Sequence, residues 1–251
     1  MTNVELIAHR GAPREAPENT LPSFRRALDH GAAGIELDVH FSADGVPIVH
    51  HDAVLGPGAG AHAGVDLARL SAATLRTIAV DRGATIPRLS DVAALVGERA
   101  TLYVEVKAAA EAADLVAMHA ALAPARAGPA VRYAVHSFDH RIARRSARVV
   151  PTIPVGILSE SYLVNSPAAL RAACARDLWQ HWSQIDAALV ADVRGAGGRV
   201  VAWTVNDPER ARFLAALGVD ALCTDDVPLL RAALRGVMLD SPASTRAGSA
   251  P

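Results

Sequence analysis

The sequence predicts an α/β fold, a (β/α)8 barrel carrying a small insertion after its second strand, and three observations lead there. Short apolar runs bounded by polar or turn residues alternate with longer Ala-, Leu- and Arg-rich segments of helical period, the pattern of repeated βα units. Eight such runs are present, and 251 residues is a length at which a barrel of this kind forms one domain. A further run follows its predecessor too closely for a parallel crossover, which marks it as part of an insertion.

The barrel strands are read at residues 4–9, 34–39, 101–107, 133–137, 154–158, 178–182, 200–205 and 221–224. Helices fit between them at 20–29, 89–96, 109–121, 140–147, 167–174, 184–196, 208–217 and 228–234. Asn19, Asn206 and Asp226 stand where helix N-caps belong, and Gly31, Gly197 and Gly218 where helices should stop. Residues 46–50 also read as a strand, but only Ser42-Ala43-Asp44-Gly45 separates them from the second barrel strand. So short an Asp-Gly connection makes an antiparallel hairpin. The insertion is placed at 41–70, over the mouth where barrel active sites lie. Residues 1–240 then form a single domain, and 241–251, rich in Ser, Ala, Pro and Gly without periodicity, read as a disordered tail.

Hydrophobic residues make up 51% of the chain and charged residues 20%, enough to bury a core. A formal charge of -1 gives no global attraction for nucleic acid or an anionic membrane, so the expected partner is a small molecule bound at a local site. No apolar run is long enough to span a bilayer, and no basic segment leads into an apolar one at the start. The two cysteines, Cys174 and Cys223, have neither ligand-like spacing nor a disulfide framework, so the expected compartment is the cytoplasm. The oligomeric state is left open.

Chemistry concentrates at strand ends. Glu36 and Asp38 are two apart on an apolar strand and therefore share a face. On an interior face, two such carboxylates need a cation or a proton between them, whereas at a solvated strand end they need neither. The third strand repeats the arrangement with Glu105 and Lys107. Because catalytic groups of barrels gather at strand C-termini, Glu105 can complete a three-carboxylate cage with Glu36 and Asp38. Such hard oxygen donors favour Mg²⁺ or Ca²⁺. Lys107 suits either a phosphate or a salt bridge to one of these carboxylates. The first strand ends in His9-Arg10-Gly11, offering a guanidinium fork and a sharp turn, and His51-Asp52 follows the insertion strand.

The ordered series His9-Arg10-Gly11, Glu18-Asn19-Thr20, Glu36-Leu37-Asp38, Asp44-Gly45 leading to His51-Asp52, and Glu105-Val106-Lys107 resembles the motif set of the glycerophosphodiester phosphodiesterases. Trp203-Thr204-Val205-Asn206 and the stretch from Gly218-Val219-Asp220 to Thr224-Asp225 are similar to that family's closing motifs. The resemblance implies a phospholipase-C-like (β/α)8, or TIM, barrel that cleaves glycerophosphodiesters to sn-glycerol 3-phosphate and an alcohol. It implies a divalent cation at Glu36, Asp38 and Glu105, acid and base roles for His9 and His51, and phosphate contacts from Arg10 and Lys107. Trp203 is a candidate wall of the substrate pocket, as is Trp182, and either could equally be barrel packing. Which histidine is acid and which base stays open, as does the choice between water and the substrate's 2-hydroxyl as nucleophile.

Two departures from the family pattern stand out. After His51-Asp52 the usual Leu and Arg-Thr-Thr are replaced by Ala53-Val54-Leu55-Gly56-Pro57-Gly58 and more glycine, which leaves the alcohol preference open. After Ile86-Pro87-Arg88-Leu89 a Ser90 stands where an acidic residue is usual, a change expected to concern helix capping. His40 shares the face of Asp38 and is expected to be solvated, while His30, His62, His119, His136, His140 and His181 are read as structural. Apolar residues in the insertion raise a second reading, a lysophospholipase D acting on lysolipids. A catalytically silent phosphate-binding barrel is the reading from another class.

Overall fold

The structure is a computed structural model describing residues 4–107, 111–123 and 132–237. The start of the helix read at 109 and the tail read at 241–251 lie outside the described residues. Among the described residues nine strands form one sheet: β1 (Glu5–His9), β2 (Gly34–Phe41), β3 (Pro47–Val49), β4 (Thr101–Val106), β5 (Tyr133–Ser137), β6 (Val155–Ser159), β7 (Asp177–His181), β8 (Arg199–Trp203) and β9 (Ala221–Thr224). All but β3 pair in parallel, from β1 through β2 and β4 to β9, and β9 returns to β1, so the barrel is closed. Around it lie α1 (Leu21–Asp29), α2 (Ala72–Leu75), α3 (Leu89–Val96), α4 (Ala112–Leu122), α5 (His140–Val149), α6 (Ser166–Ala173), α7 (Ala187–Gly195), α8 (Pro208–Leu217) and α9 (Val227–Val237).

Strand alternation sorts the side chains into two layers. On β2, Ile35, Leu37 and Val39 face outward and join Phe24 of α1 and Leu89 and Val92 of α3 in the main core, all fully buried. Each such side chain contributes roughly 1.5–3 kcal/mol by leaving water. The opposite parity faces the barrel axis, where Ile7, Tyr103, Ala134, Leu158, Trp179, Val201, Ala221 and Cys223 fill the interior. Gly156 lacks a side chain because a Cβ there would stand 2.9 Å from the Trp179 ring. Since Tyr103 and Ala134 point inward, so do Glu105 two residues on from the first and His136 two residues on from the second.

The N-terminal end of the barrel is closed by ion pairs remote from these groups. Glu5 accepts hydrogen bonds from the Tyr103 hydroxyl at 2.9 Å and from Arg199 at 2.7 Å, and Arg176 donates to buried Asp177 at 2.6 and 2.7 Å. In a barrel, contacts at this end serve stability.

The insertion differs in extent from the segment expected at 41–70. β3 pairs antiparallel with the end of β2, as the Asp-Gly hairpin requires. From there Ile48, Leu55, Ala59, Leu67, Ala72, Leu75, Ile78 and Ile86 enclose a separate small core, so the insertion runs on to about residue 86. The polar spacing of residues 71–86 hid this, because the apolar side chains that turn inward there, Ala72, Leu75, Ile78, Ile86 and half-buried Val80, are widely spaced. Two caps also differ. Thr20, not Asn19, caps α1 through Ser23 N–H, and Asp207, not Asn206, caps α8 through Arg210 N–H at 2.7 Å. Asn19 and Asn206 are both occupied elsewhere, and Asp226 caps α9 through Leu229 N–H at 2.9 Å as expected. At α3 the Arg88 N–H donates to Asp91, so Ser90 is not the capping residue. Among the described residues, no helix is long and apolar enough to cross a membrane.

Candidate active site

The site forms where β1, β2, β4 and β5 end. Arg10, just past β1, has a positive φ of 53°, followed by Gly11 at 94°, and this turn aims the Arg10 N–H at the Glu36 carbonyl oxygen 3.0 Å away. A side chain at position 11 would also strike Ser23, which accounts for the glycine. A left-handed arginine is an uncommon and strained conformation, of the kind held in place at functional sites. Here Glu18 accepts from Arg10 Nη1 at 2.9 Å, and Asp38 Oδ2 lies 3.0 Å from Nε as a charge contact without hydrogen-bond alignment.

Glu36, Asp38 and Glu105 are all buried, at 3%, 0% and 7% exposure, so each carboxylate needs compensation. Asp38 has it. Arg10 lies on one side, Lys107 Nζ 3.5 Å from Oδ1 on the other, and Asn19 donates to Oδ2 at 2.7 Å. Burial would raise the Asp38 pKa, but Arg10, Lys107, the Asn19 hydrogen bond and His51 together outweigh it and hold the carboxyl below its ordinary value. Asn19, with φ at 57°, thus serves Asp38 instead of a helix terminus. Glu105 has partial compensation from Lys107 at 2.9 Å. Its carboxyl is nonetheless pushed up to about 7, by burial first and by the Asp38 charge second. Glu36 is the least compensated, with only the Arg10 N–H donating to its side chain at 3.3 Å, and burial followed by the charges of Asp38 and Glu105 raises it well above the usual range.

The three potential ligand atoms that lie within 4.8 Å of one another come from Glu36, Glu105 and His136. Asp38, read from the sequence as the third metal carboxylate, stands beside this group but faces Arg10 and Lys107. His136, read as structural, is 1% exposed and belongs to this group. It stacks on Trp179 with centroids 4.1 Å apart and 9° between planes, and its Nε2 is 3.9 Å from Glu36 Oε1. Its signal was present in the sequence as parity, one position before the end of β5 and directly opposite Glu105 in the register. A buried pair of carboxylates with a facing imidazole is a donor set that fits a divalent cation.

His9 ends β1 with Nδ1–H donating to Asp225 Oδ1 at 2.7 Å, and its Nε2 lies 4.0 Å from Glu36 Oε2. Asp225 is held in turn by Asn206, which donates to Oδ2 at 2.6 Å and accepts the Asp225 N–H at 2.9 Å. Sequence reasoning quoted both residues as motif members without seeing this chain of support. His51 is supplied by the insertion, as its sequence position implied. Its Nδ1–H donates to Asp52 at 2.7 Å, and its carbonyl oxygen accepts from His40 Nε2 at 3.0 Å. His40 is therefore buried, at 6% exposure, instead of solvated, because it ties the insertion to β2. Trp203 meets Phe138 and His181 edge-on at 5.5 and 5.4 Å and borders the cavity lined by His9, Glu36, Glu105 and His136. Trp182 lies elsewhere, packed against the Arg210 guanidinium at 4.7 Å.

A mouth that combines buried carboxylates, a guanidinium, an ammonium and carboxylate-oriented histidines is matched to an anionic ester, and on a closed parallel barrel it defines a barrel phosphodiesterase. The chain belongs to the glycerophosphoryl diester phosphodiesterase family, whose model matches residues 9–229. It is 30% identical over 228 residues to a glycerophosphodiester phosphodiesterase of Caldanaerobacter subterraneus, covering 88% of this chain and 93% of that one. Among solved structures, it is similar to an Oleispira antarctica phosphodiesterase in complex with the product sn-glycerol-3-phosphate. That likeness has a TM-score of 0.83 at 26% identity, covering 92% of this chain and 96% of the other. A glycerophosphodiester phosphodiesterase from Agrobacterium tumefaciens matches with a TM-score of 0.77 at 26% identity, over 92% and 100% of the two chains.

Proposed function

We propose that this chain hydrolyses glycerophosphodiesters to sn-glycerol 3-phosphate and an alcohol, using a divalent cation and histidine acid–base catalysis. The observation that carries this reading is that each histidine is tied to a carboxylate through Nδ1, His9 to Asp225 and His51 to Asp52, at 2.7 Å in both cases. An imidazole fixed in this way keeps Nε2 for taking or giving a proton. In this reading Glu36, Asp38 and Glu105 hold the cation, which when bound supplies Lewis-acid stabilisation of phosphoryl oxygens. Arg10 and Lys107 neutralise the non-bridging oxygens, and Trp203 walls the pocket. The oxygen donors taken alone suit Mg²⁺ or Ca²⁺. The product carried by the Oleispira antarctica structure supports the choice of substrate. The free thiols of Cys174 and Cys223 support a cytoplasmic setting.

The lysolipid reading is not favoured, since of the large apolar residues in the insertion Leu55 and Leu67 are 2% and 1% exposed and pack inside its own core, which leaves Val54, at 47%, as the exposed one. The test is release of sn-glycerol 3-phosphate from glycerophosphocholine, abolished by a chelator and restored by divalent cations. A faster rate on lysophosphatidylcholine would reverse the substrate assignment, and no turnover on a panel of phosphodiesters would sink the enzyme reading.

A further inference from the structure

Among the described residues of the barrel mouth, His136 is a buried titratable group to which the proposed chemistry gives no task. It is 1% exposed, yet its buried Nδ1 has no hydrogen-bond partner, and its Nε2 faces Glu36 Oε1 at 3.9 Å, beyond hydrogen-bond reach. A buried imidazole with its Nδ1 unsatisfied carries a desolvation cost that a phenyl ring in the same stack would avoid. Packing on Trp179 therefore accounts for the ring's plane but not for its nitrogens. The cross-strand register Glu105↔His136 sets the imidazole beside one buried carboxylate, and the three ligand atoms of Glu36, Glu105 and His136 lie within 4.8 Å of one another. Each sits on a barrel strand, Glu36 within β2 and Glu105 and His136 one residue before the ends of β4 and β5, and the Trp179 stack fixes the imidazole where an outer hydrogen bond fixes most metal-bound histidines.

Resting on the metal-dependent reading above, we propose that His136 is a ligand of the same cation, so that this chain takes a first-row transition ion through a mixed nitrogen and oxygen donor set. Imidazole contributes little to the binding of Mg²⁺ or Ca²⁺, which prefer oxygen, and much to that of ions later in the transition series. A nitrogen donor at position 136 thus shifts selectivity without adding charge to a site already rich in carboxylates.

Two measurements on the full chain test this, and neither depends on turnover. The metal-free protein, labelled with ¹⁵N-histidine and loaded with stoichiometric Mn²⁺, should show hyperfine coupling to one imidazole nitrogen in pulsed EPR. The coupling should vanish in His136→Gln and persist in His9→Gln and His51→Gln. By calorimetry, His136→Gln should lower Co²⁺ affinity by at least about tenfold while changing Mg²⁺ affinity much less. The absence of coupling in the parent chain, its loss on His9→Gln, or an unchanged Co²⁺ affinity in His136→Gln would each overturn the proposal. Should His136→Gln fail to fold, coupling that survives both other substitutions supports His136 and coupling lost in either refutes it. Intact coupling in a protein with no phosphodiesterase turnover would refute the proposed function and leave this inference standing, and turnover without coupling would do the reverse.

Discussion

Removing metal should make Glu105 a pH-dependent weak point of the fold. Burial, and then the charge of Asp38, raise its carboxyl from an ordinary 4.5 to about 7, with Lys107 opposing them. Between those two values the folded chain keeps a proton on Glu105 that the unfolded chain has released. Stability from this group is therefore greatest below pH 4.5 and falls as pH rises towards 7. At about 1.4 kcal/mol per pH unit, the whole displacement amounts to about 3 kcal/mol. His136 acts in the other direction, because burial lowers it to about 3 and the unfolded chain gains its proton first as pH falls below 6.5. The parent chain's own pH profile mixes the two, so the informative quantity is the difference between it and Glu105→Gln. In urea unfolding with chelator present, from pH 4.5 to 8, the parent should lose about 3 kcal/mol relative to the variant. With saturating divalent metal the order should reverse at high pH, since ionised Glu105 can bind the ion and Gln cannot match it. A difference that stays flat with pH, or grows in the parent's favour without metal, would refute the account of a buried, undercompensated carboxylate.

His9→Ala and His51→Ala should each reduce turnover by about 10²–10⁴-fold while leaving metal affinity intact, as read by steady-state rates and calorimetry; near-normal rates in either would remove it from the acid–base pair. Asp225→Asn keeps the shape of the support beneath His9 but loses its charge, and kcat should fall by at least about tenfold with KM little changed. An effect confined to KM would show that Asp225 serves substrate binding instead. Leu67→Ala, in the insertion's own core, should cost about 2–4 kcal/mol of local stability and speed proteolysis of residues 42–86. Because His51 leaves β3 from the same unit, activity should fall with it, whereas unchanged activity would mean that His51 is held by His40 and β2 alone.

The barrel was legible in the sequence because its signal is repeated in every unit, apolar strand after amphipathic helix, and no single misread boundary alters the count. The site was legible where spacing and face coincide. Glu36 with Asp38, and Glu105 with Lys107, each sit two apart on a strand, so parity alone brings them to one wall. What spacing cannot supply is the pairing across strands. Asp38 was read as a metal carboxylate equal to the others, and only the positions of Arg10, Lys107 and Asn19 reveal it as the most neutralised of the three. His136 obeys the same parity rule as Glu105, yet a lone histidine in an apolar strand has no partner visible along the chain, since its neighbours arrive from β2 and β4. The Asn206–Asp225 support of His9 spans the gap from β8 to β9 and is invisible for the same reason. Asn19 and Asn206 misled as caps because asparagine before a helix has two uses, and the local sequence specifies only one of them.

The same pairings explain why a chain with a net charge of only -1 can receive an anion. When ionised, Glu36, Asp38 and Glu105 supply three negative charges, and Arg10 and Lys107 supply two positive ones in contact with them. Fully ionised, the innermost groups sum to one unit negative, a state that burial opposes by holding protons on Glu36 and Glu105 when no cation is bound. In the proposed function a divalent cation makes them one unit positive, and a singly charged phosphodiester brings the sum to zero. The carboxylates that attract the cation also hold Lys107, at 2.9 Å for Glu105 and 3.5 Å for Asp38. In that function a cation held by those oxygens would weaken their hold on the ammonium and leave it for the phosphate. Under the proposed function Lys107 would then be the group through which cation binding prepares the site for the phosphodiester.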